Sequence, residues 1–102
     1  MAQQFRNLPA NFNAARPGPQ ALIVVGVDAC GWCQQFKPEL KAMEPQLAAR
    51  IYWVDGGDPR AQNWSVDGYP TILYHASAGG LYKYNGARTL QGIQRFIDTV
   101  ER

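Results

Sequence analysis

The feature that most constrains this chain is its single pair of cysteines, Cys30 and Cys33, arranged as C-x-x-C. The preceding residues 21–27 (ALIVVGV) are apolar throughout, which indicates a strand buried on both faces. After the pair, apolar residues recur at spacings of four, three and four, as on one face of a helix: Phe36, Leu40, Met43 and Leu47. The cysteines are therefore predicted to lie where a buried strand ends and a helix begins.

This position has chemical consequences for the two thiols. A helix N-terminus offers unpaired N–H groups and the positive end of the helix dipole, and both favour a thiolate at Cys30. Cys33 lies one turn further along and is expected to be more shielded. The outer sulfur can then attack a disulfide, and the inner sulfur can resolve the mixed disulfide that results. A C-x-x-C motif beside a β-α pattern is typical of such redox chemistry.

Two simpler interpretations of the cysteines compete with this one. The pair could be buried structural cysteines, or it could be half of a metal site. A tetrahedral zinc site needs four ligands, and His75 is the only other soft candidate in the chain. We therefore expect no metal and no organic cofactor, and the redox centre would be the Cys30–Cys33 disulfide itself.

Composition predicts one domain over residues 1–102, because 46% of the 102 residues are hydrophobic and can form a packed core. The net charge is only +2 and the charged residues form no run, so neither nucleic acid nor a membrane is an expected partner. The first residues show no secretory signal, and no further cysteines exist for structural disulfides. These observations predict a cytoplasmic monomer.

The remaining pattern predicts alternating strands and helices. Strands are expected at residues 5–8, 21–27, 51–54, 71–75 and 81–84, the last two as an antiparallel hairpin. Helices are expected at residues 9–15, at 31–49, from Asp58 to about Trp64, and from Ala87 or Thr89 onward. Pro38 lies inside the long helix, and Pro45 could divide it into two. The predicted order is β-α-β-α-β-α-β-β-α.

This order, with the C-x-x-C after the second strand, resembles the thioredoxin fold over the whole chain. Pro38 stands where that family has a helix proline, Tyr69-Pro70-Thr71 resembles its X-cis-Pro-Thr loop, and Gly86 matches a glycine beside its substrate groove. The resemblance implies an α/β fold with a central mixed sheet flanked by helices. It also implies catalytic cysteines at the C-x-x-C, and an active-site loop and groove formed by Gly31, Trp32, Tyr69, Pro70 and Gly86.

Within this family, the chain is similar to two subgroups, the thioredoxins and the catalytic domains of protein disulfide isomerases. The stretch from Gly68 to Thr71 resembles the isomerases, and so does Arg88, whose counterpart is thought to swing toward the resolving cysteine. However, Trp32 replaces the isomerase histidine between the cysteines, and Ala29 replaces the usual tryptophan before them.

A second departure from the family concerns a buried ion pair. Both subgroups usually bury a carboxylate at the position of Val24, and it often pairs with a lysine at the position of Ile51. Both charges are absent here. We expect the acid and the base to be lost together, because burying one of these charges without its partner would carry a large desolvation cost.

The resemblance implies a reductase-like thiol–disulfide oxidoreductase that acts on protein disulfides and is recycled by an external reductase or a small thiol. Cys30 would be the nucleophile and Cys33 the resolving cysteine, while Trp32 would be exposed and help to hold substrate. Two alternatives remain: an isomerase- or oxidase-like folding catalyst, and a module that binds a partner near Trp32 and Pro70. Arg88 would either assist the loss of the Cys33 proton or be a solvated surface residue.

Overall fold

The computed structural model of the protein describes residues 5–7, 20–64, 66 and 68–102, which form five strands and two α-helices. The strands are β1 (Phe5–Asn7), β2 (Ala21–Gly26), β3 (Arg50–Asp55), β4 (Thr71–His75) and β5 (Leu81–Tyr84). The helices are α1 (Gly31–Met43) and α2 (Leu90–Val100), with 3-10 helices at Glu44–Gln46 and Pro59–Asn63. The helix predicted at residues 9–15 lies outside the described residues.

The five strands form one mixed sheet in the order β1-β3-β2-β4-β5. Strands β1, β3 and β2 run parallel, whereas β4 pairs antiparallel with both β2 and β5. All six residues of β2 are buried, as the apolar run predicts for a central strand. The parallel pairing of β2 and β3 requires a crossover, and α1 supplies it. The predicted thioredoxin-like α/β fold is confirmed.

Alternating residues of β2 divide the core between the two faces of the sheet. Leu22 and Val24 pack in a cluster with residues of α1 and α2, which include Phe36, Leu40, Ile93 and Ile97. Ile23 and Val25 pack on the opposite face with Val54, Ala61, Trp64 and Leu73. Since burial of such side chains contributes about 1.5–3 kcal/mol each, both faces of the sheet stabilise the strand that leads to the cysteines.

Helix α1 is shorter than the prediction of residues 31–49. It ends at Met43, and the 3-10 helix Glu44–Gln46 follows it. Proline has no backbone N–H, so Pro45 cannot donate to the Lys41 carbonyl and continue the α-helical pattern. Pro38 is accommodated inside the helix. The short helix predicted after Asp58 is a 3-10 helix, and Asp58 caps it through a 2.9 Å hydrogen bond from the Arg60 N–H.

The loop between β5 and α2 is held by Tyr84. Its hydroxyl donates to the Ala87 carbonyl, and its ring lies against Gly86. A Cβ atom on Gly86 would approach the Tyr84 hydroxyl to 2.5 Å, and one on Gly92 would approach the Ala87 carbonyl oxygen to 2.7 Å. Thr89 caps α2 by accepting from the Gly92 N–H at 3.1 Å. Glycine at both positions therefore lets the loop pack closely against the helix.

Gly92→Ala is expected to destabilise the protein by about 1–3 kcal/mol, the usual cost of overpacking. Helix propensity alone would predict a gain of roughly 1 kcal/mol, so the sign of the effect tests the packing. The free energy of unfolding from urea denaturation is the measurement. Gly31→Ala is the control, because a Cβ there meets nothing within 4 Å. Equal stability of Gly92→Ala and the parent would contradict the close contact.

Candidate active site

The end of β2 and the start of α1 place the two cysteines. The chain turns after Gly26, and the turn is closed by a 3.1 Å hydrogen bond from the Cys30 N–H to the Val27 carbonyl. Cys30 has extended backbone angles (φ −86°, ψ 116°) and is the N-cap of α1. Its Sγ accepts from the Cys33 N–H at 3.3 Å, the position where an oxygen usually caps a helix. The helix start therefore fixes both sulfurs.

The two thiols differ in exposure. Cys30 is partly exposed, whereas Cys33 is buried with only 1% of its surface accessible, and both are free thiols. The Cys30 thiol also donates to the Tyr69 carbonyl, with 3.7 Å between Sγ and the oxygen. The Tyr69–Pro70 peptide bond is cis, as the resemblance implies. The loop before β4 therefore lies directly against the outer sulfur.

Hydrogen bonding and burial shift the two thiols in opposite directions. A hydrogen bond with the Cys33 side chain is the largest of several interactions that lower the pKa of Cys30, with backbone bonds from Cys33 and Trp32 assisting. Burial raises the pKa of Cys33, and its bond to the Cys30 thiol raises it further. The positive charge of Arg88 lowers the pKa of both. The exposed sulfur is thus the better nucleophile near neutral pH.

A groove of about 210 Å³ lies beside this pair. Among its lining residues are four that the sequence singled out: Tyr69, Pro70, Gly86 and Arg88. Arg88 is an exposed residue of the loop that Tyr84 holds in place. Thr71 closes the start of β4 by donating from its hydroxyl to the Gly68 carbonyl at 2.5 Å. The groove thus combines the edge of the cis-proline loop with the loop before α2.

Gly31 and Trp32 do not line this groove; they lie at the exposed first turn of α1. The Trp32 side chain is 66% exposed, and that of Tyr69 is 40% exposed. These exposed aromatic side chains belong to residues near Cys30 and offer apolar surface close to a sulfur that is itself partly exposed. The structure thus places every residue of the predicted site near the first turn of α1 or along the groove.

Val24 and Ile51 are both fully buried in the core cluster that also contains Cys33. Apolar packing therefore occupies the two positions where the family usually has a buried acid and base.

Sequence reasoning missed the surroundings of Cys33. A second cavity, of about 240 Å³, is lined by Cys33 together with Lys37, Trp53 and five other residues. The Lys37 ammonium lies 5.0 Å from the centroid of the Trp53 ring. The i, i+4 spacing of Cys33 and Lys37 was the available signal, since such residues share a helix face. The position of Trp53 next to Cys33 depends on tertiary packing, and no spacing in the sequence indicates it.

Two kinds of feature are absent from the described part of the chain. Residues 20–64, 66 and 68–102 contain no group of three or more histidine, cysteine or acidic side chains that could hold a metal ion. None of the helices described is long and apolar enough to cross a membrane.

Comparison with known proteins finds a matching family model and several similar proteins. The sequence model of the thioredoxin family matches residues 6–99. The chain is 33% identical over 86 residues to protein disulfide isomerase-like 1-2 of Oryza sativa subsp. japonica, covering 79% of this chain and 17% of that protein. It is 34% identical over 101 residues to bloodstream-specific protein 2 of Trypanosoma brucei brucei, covering 94% of this chain and 20% of that protein. The chain therefore spans a fifth or less of these curated relatives.

Solved structures show the same fold. The first thioredoxin domain of mouse protein disulfide-isomerase A4 is 27% identical with a TM-score of 0.68, covering 80% of this chain and 63% of that one. A mutant thioredoxin from Halobacterium salinarum NRC-1 is 17% identical with a TM-score of 0.78, covering 98% of this chain and 93% of that one. With the family match over residues 6–99, these likenesses establish that the chain belongs to the thioredoxin family.

Proposed function

We propose that this protein exchanges thiols and disulfides with protein substrates, with Cys30 as nucleophile and Cys33 as resolving cysteine. The observation that carries the proposal is the asymmetry of the pair: an accessible sulfur of lowered pKa at the helix N-cap, beside a buried sulfur of raised pKa. Membership of the thioredoxin family and the isomerase relatives support thiol–disulfide oxidoreductase chemistry in general. No organic cofactor is required, because the cysteine pair holds the electrons.

The reaction has two steps. The Cys30 thiolate attacks one sulfur of a substrate disulfide, forms a mixed disulfide and releases the other substrate sulfur as a thiolate. The Cys33 thiolate then attacks Cys30, forms the Cys30–Cys33 bond and expels the remaining substrate sulfur. The substrate is reduced by two electrons and the protein pair is oxidised. An external reductase or a small thiol returns the pair to the reduced state.

The groove supports binding of an extended protein segment around the reacting disulfide. The Tyr69 carbonyl lies at the groove edge and against the Cys30 sulfur, so a backbone N–H of a bound segment could pair beside the reacting bond. Trp32 would cover the segment from the other side with its exposed indole. Such backbone pairing suits many sequences and therefore a broad range of protein disulfides.

We favour a reductase over a folding catalyst because Trp32 stands between the cysteines. An isomerase-like role is the second candidate. Its support comes from Arg88, whose charge acts on both thiols, and from relatives that are named protein disulfide isomerases. The two roles differ mainly in the reduction potential of the pair.

Cys33→Ser is expected to accumulate mixed disulfides through Cys30, because the resolving sulfur is missing. Cys30→Ser is expected to trap almost none, because the remaining thiol is buried. Mass spectrometry of both variants after incubation with insulin, together with insulin reduction by the parent protein, is the measurement. Equal adduct yields would refute the assigned roles. Absence of both adducts and reduction would instead favour a partner-binding module.

The reduction potential is expected to lie below the isomerase range of about −180 mV, toward the thioredoxin range of about −270 mV. A charged histidine between the cysteines stabilises the reduced thiolate, and Trp32 carries no charge that could do so. Equilibration against glutathione buffers gives the potential. Trp32→His is the matched variant and should raise it. A parent value at or above the isomerase range would identify the folding catalyst as the better description.

Arg88→Ala is expected to slow resolution of the mixed disulfide while the first attack stays nearly unchanged. The pKa of Cys30 is lowered mainly by hydrogen bonds, whereas Cys33 is penalised by burial and gains from a nearby cation. An arginine remains charged and cannot accept the proton, so its part is electrostatic. Stopped-flow measurement of both steps at pH 7 tests this, with Lys83→Ala in the same groove as control. An unchanged resolving rate would make Arg88 a surface residue.

A further inference from the structure

The cavity beside Cys33 is separate from the substrate groove. It is lined by Val27, Asp28, Cys33, Gln34, Lys37, Pro38, Lys41 and Trp53, and it shares no lining residue with the groove. Cys33 lines it and Cys30 does not. Its volume of about 240 Å³ is ample for water, since one molecule occupies about 30 Å³ in the liquid. Cys33 therefore borders a space that is distinct from the substrate groove.

Gly26 brings the indole of Trp53 next to this sulfur. A Cβ atom on Gly26 would lie 2.5 Å from Cζ2 of Trp53 and 3.1 Å from Sγ of Cys33. The ring and the thiol thus share the space that a side chain at residue 26 would fill. Because both also line the cavity, Trp53 forms the wall that faces Cys33.

Lys37 is held on that wall. It follows Cys33 by one helical turn, so the two Cβ atoms are roughly 5–6 Å apart on the same face of α1. Its ammonium lies 5.0 Å from the centroid of the Trp53 ring, within the range of a cation–π interaction. Lys37 is also partly buried, which reduces screening of its charge by solvent.

The charged side chains that line the cavity carry a net positive charge, which favours the thiolate form of Cys33. Asp28, Lys37 and Lys41 line the cavity, which gives two cations against one carboxylate. On the active-site side, Cys30 is the neighbouring thiol and Arg88 the nearby cation. The core positions Val24 and Ile51, described above, are apolar. A cation near the buried sulfur therefore has to come from its exposed sides.

We propose that Lys37 stabilises the thiolate of Cys33 across this cavity, and that water in the cavity takes up the Cys33 proton. The proposal rests on the function proposed above and concerns its second step. Cys33 gives its proton to water, and its thiolate attacks Cys30 in the mixed disulfide. The Cys30–Cys33 bond forms, the bond between Cys30 and the substrate breaks, and the departing substrate thiolate takes a proton from solvent. No further oxidant or reductant is needed.

Lys37→Gln is expected to raise the pKa of Cys33 by on the order of one unit, the lower end of the effect of a nearby opposite charge. The thiolate fraction below that pKa then falls, but a more basic thiolate is also more nucleophilic, so resolution should slow about threefold. Above the pKa of Cys33 the variant should resolve as fast as the parent, or faster. The first attack by Cys30 should be unchanged.

Two measurements test this. The first is titration of Cys33 in a Cys30→Ser background by ultraviolet thiolate absorbance, and the second is stopped-flow kinetics with a disulfide peptide across pH. Lys37→Arg should restore both the pKa of Cys33 and the rate of resolution. Arg95→Gln, which removes an exposed cation from α2, is the control for net charge. An unchanged titration, or an equal effect of Arg95→Gln, would overturn the proposal. If Lys37→Gln slowed resolution by the same factor at every pH, the effect would be structural and the proposal would also be overturned.

Failure of this inference and failure of the proposed function can be told apart. The titration in the Cys30→Ser background needs no substrate and reports on Lys37 alone. If the parent formed no mixed disulfide, the proposed function would fail while the titration could still show the influence of Lys37. If the parent reacted normally and Lys37→Gln changed neither value, only the role of Lys37 would be rejected.

Discussion

The hydrogen bond from the Cys33 N–H to the Cys30 sulfur is the interaction on which the site depends. A helix needs an acceptor at its N-terminus, and an oxygen from Ser, Thr, Asp or Asn usually supplies it. Here a sulfur does so, at 3.3 Å. The same bond fixes Cys30 outside the helix and Cys33 one turn inside it. Cys30 is therefore partly exposed and Cys33 buried; the bond between the two thiols then lowers the pKa of Cys30, and burial raises the pKa of Cys33.

Around this cap, the core carries no charged side chain at the positions of Val24 and Ile51, and the cationic side chains lie nearer the surface. The core beneath the cysteines is apolar, with Val24 and Ile51 fully buried, so the sheet bears no desolvation cost for an internal ion pair. Cationic side chains lie instead on partly or fully exposed surfaces, Arg88 in the groove and Lys37 in the cavity. Cationic side chains thus line both the groove and the cavity, while β2, which leads to the cysteines, contains no charged residue.

Much of the fold was predictable because it depends on local patterns. The apolar run of β2, the hairpin of β4 and β5, and the Thr89 cap of α2 all follow from short stretches of sequence. The end of α1 was misplaced, because apolar periodicity continues to Leu47 although Pro45 prevents the α-helix from following it.

The cysteine junction and the groove loop were also predicted, partly by resemblance. The cavity was not, because the contact of Trp53 with Gly26 and Lys37 joins two strands and a helix, and no local pattern encodes it. The use of the Cys30 sulfur as a cap and its contact with the Tyr69 carbonyl likewise depend on the folded geometry.

The packing of Tyr84 has a consequence for how this sequence can vary. Its ring and hydroxyl occupy the space where side chains at residues 86 and 92 would begin. A single tyrosine in a strand therefore restricts two positions, one in a loop and one in a helix, and the Ala87 carbonyl oxygen restricts the second of them further. Substitutions at these three positions are not energetically independent, so their effects should not add. Over evolutionary time, residues 84 and 86 should vary together, and a lineage with a small residue in place of the tyrosine could replace Gly86, whereas residue 92 would still meet the Ala87 carbonyl oxygen.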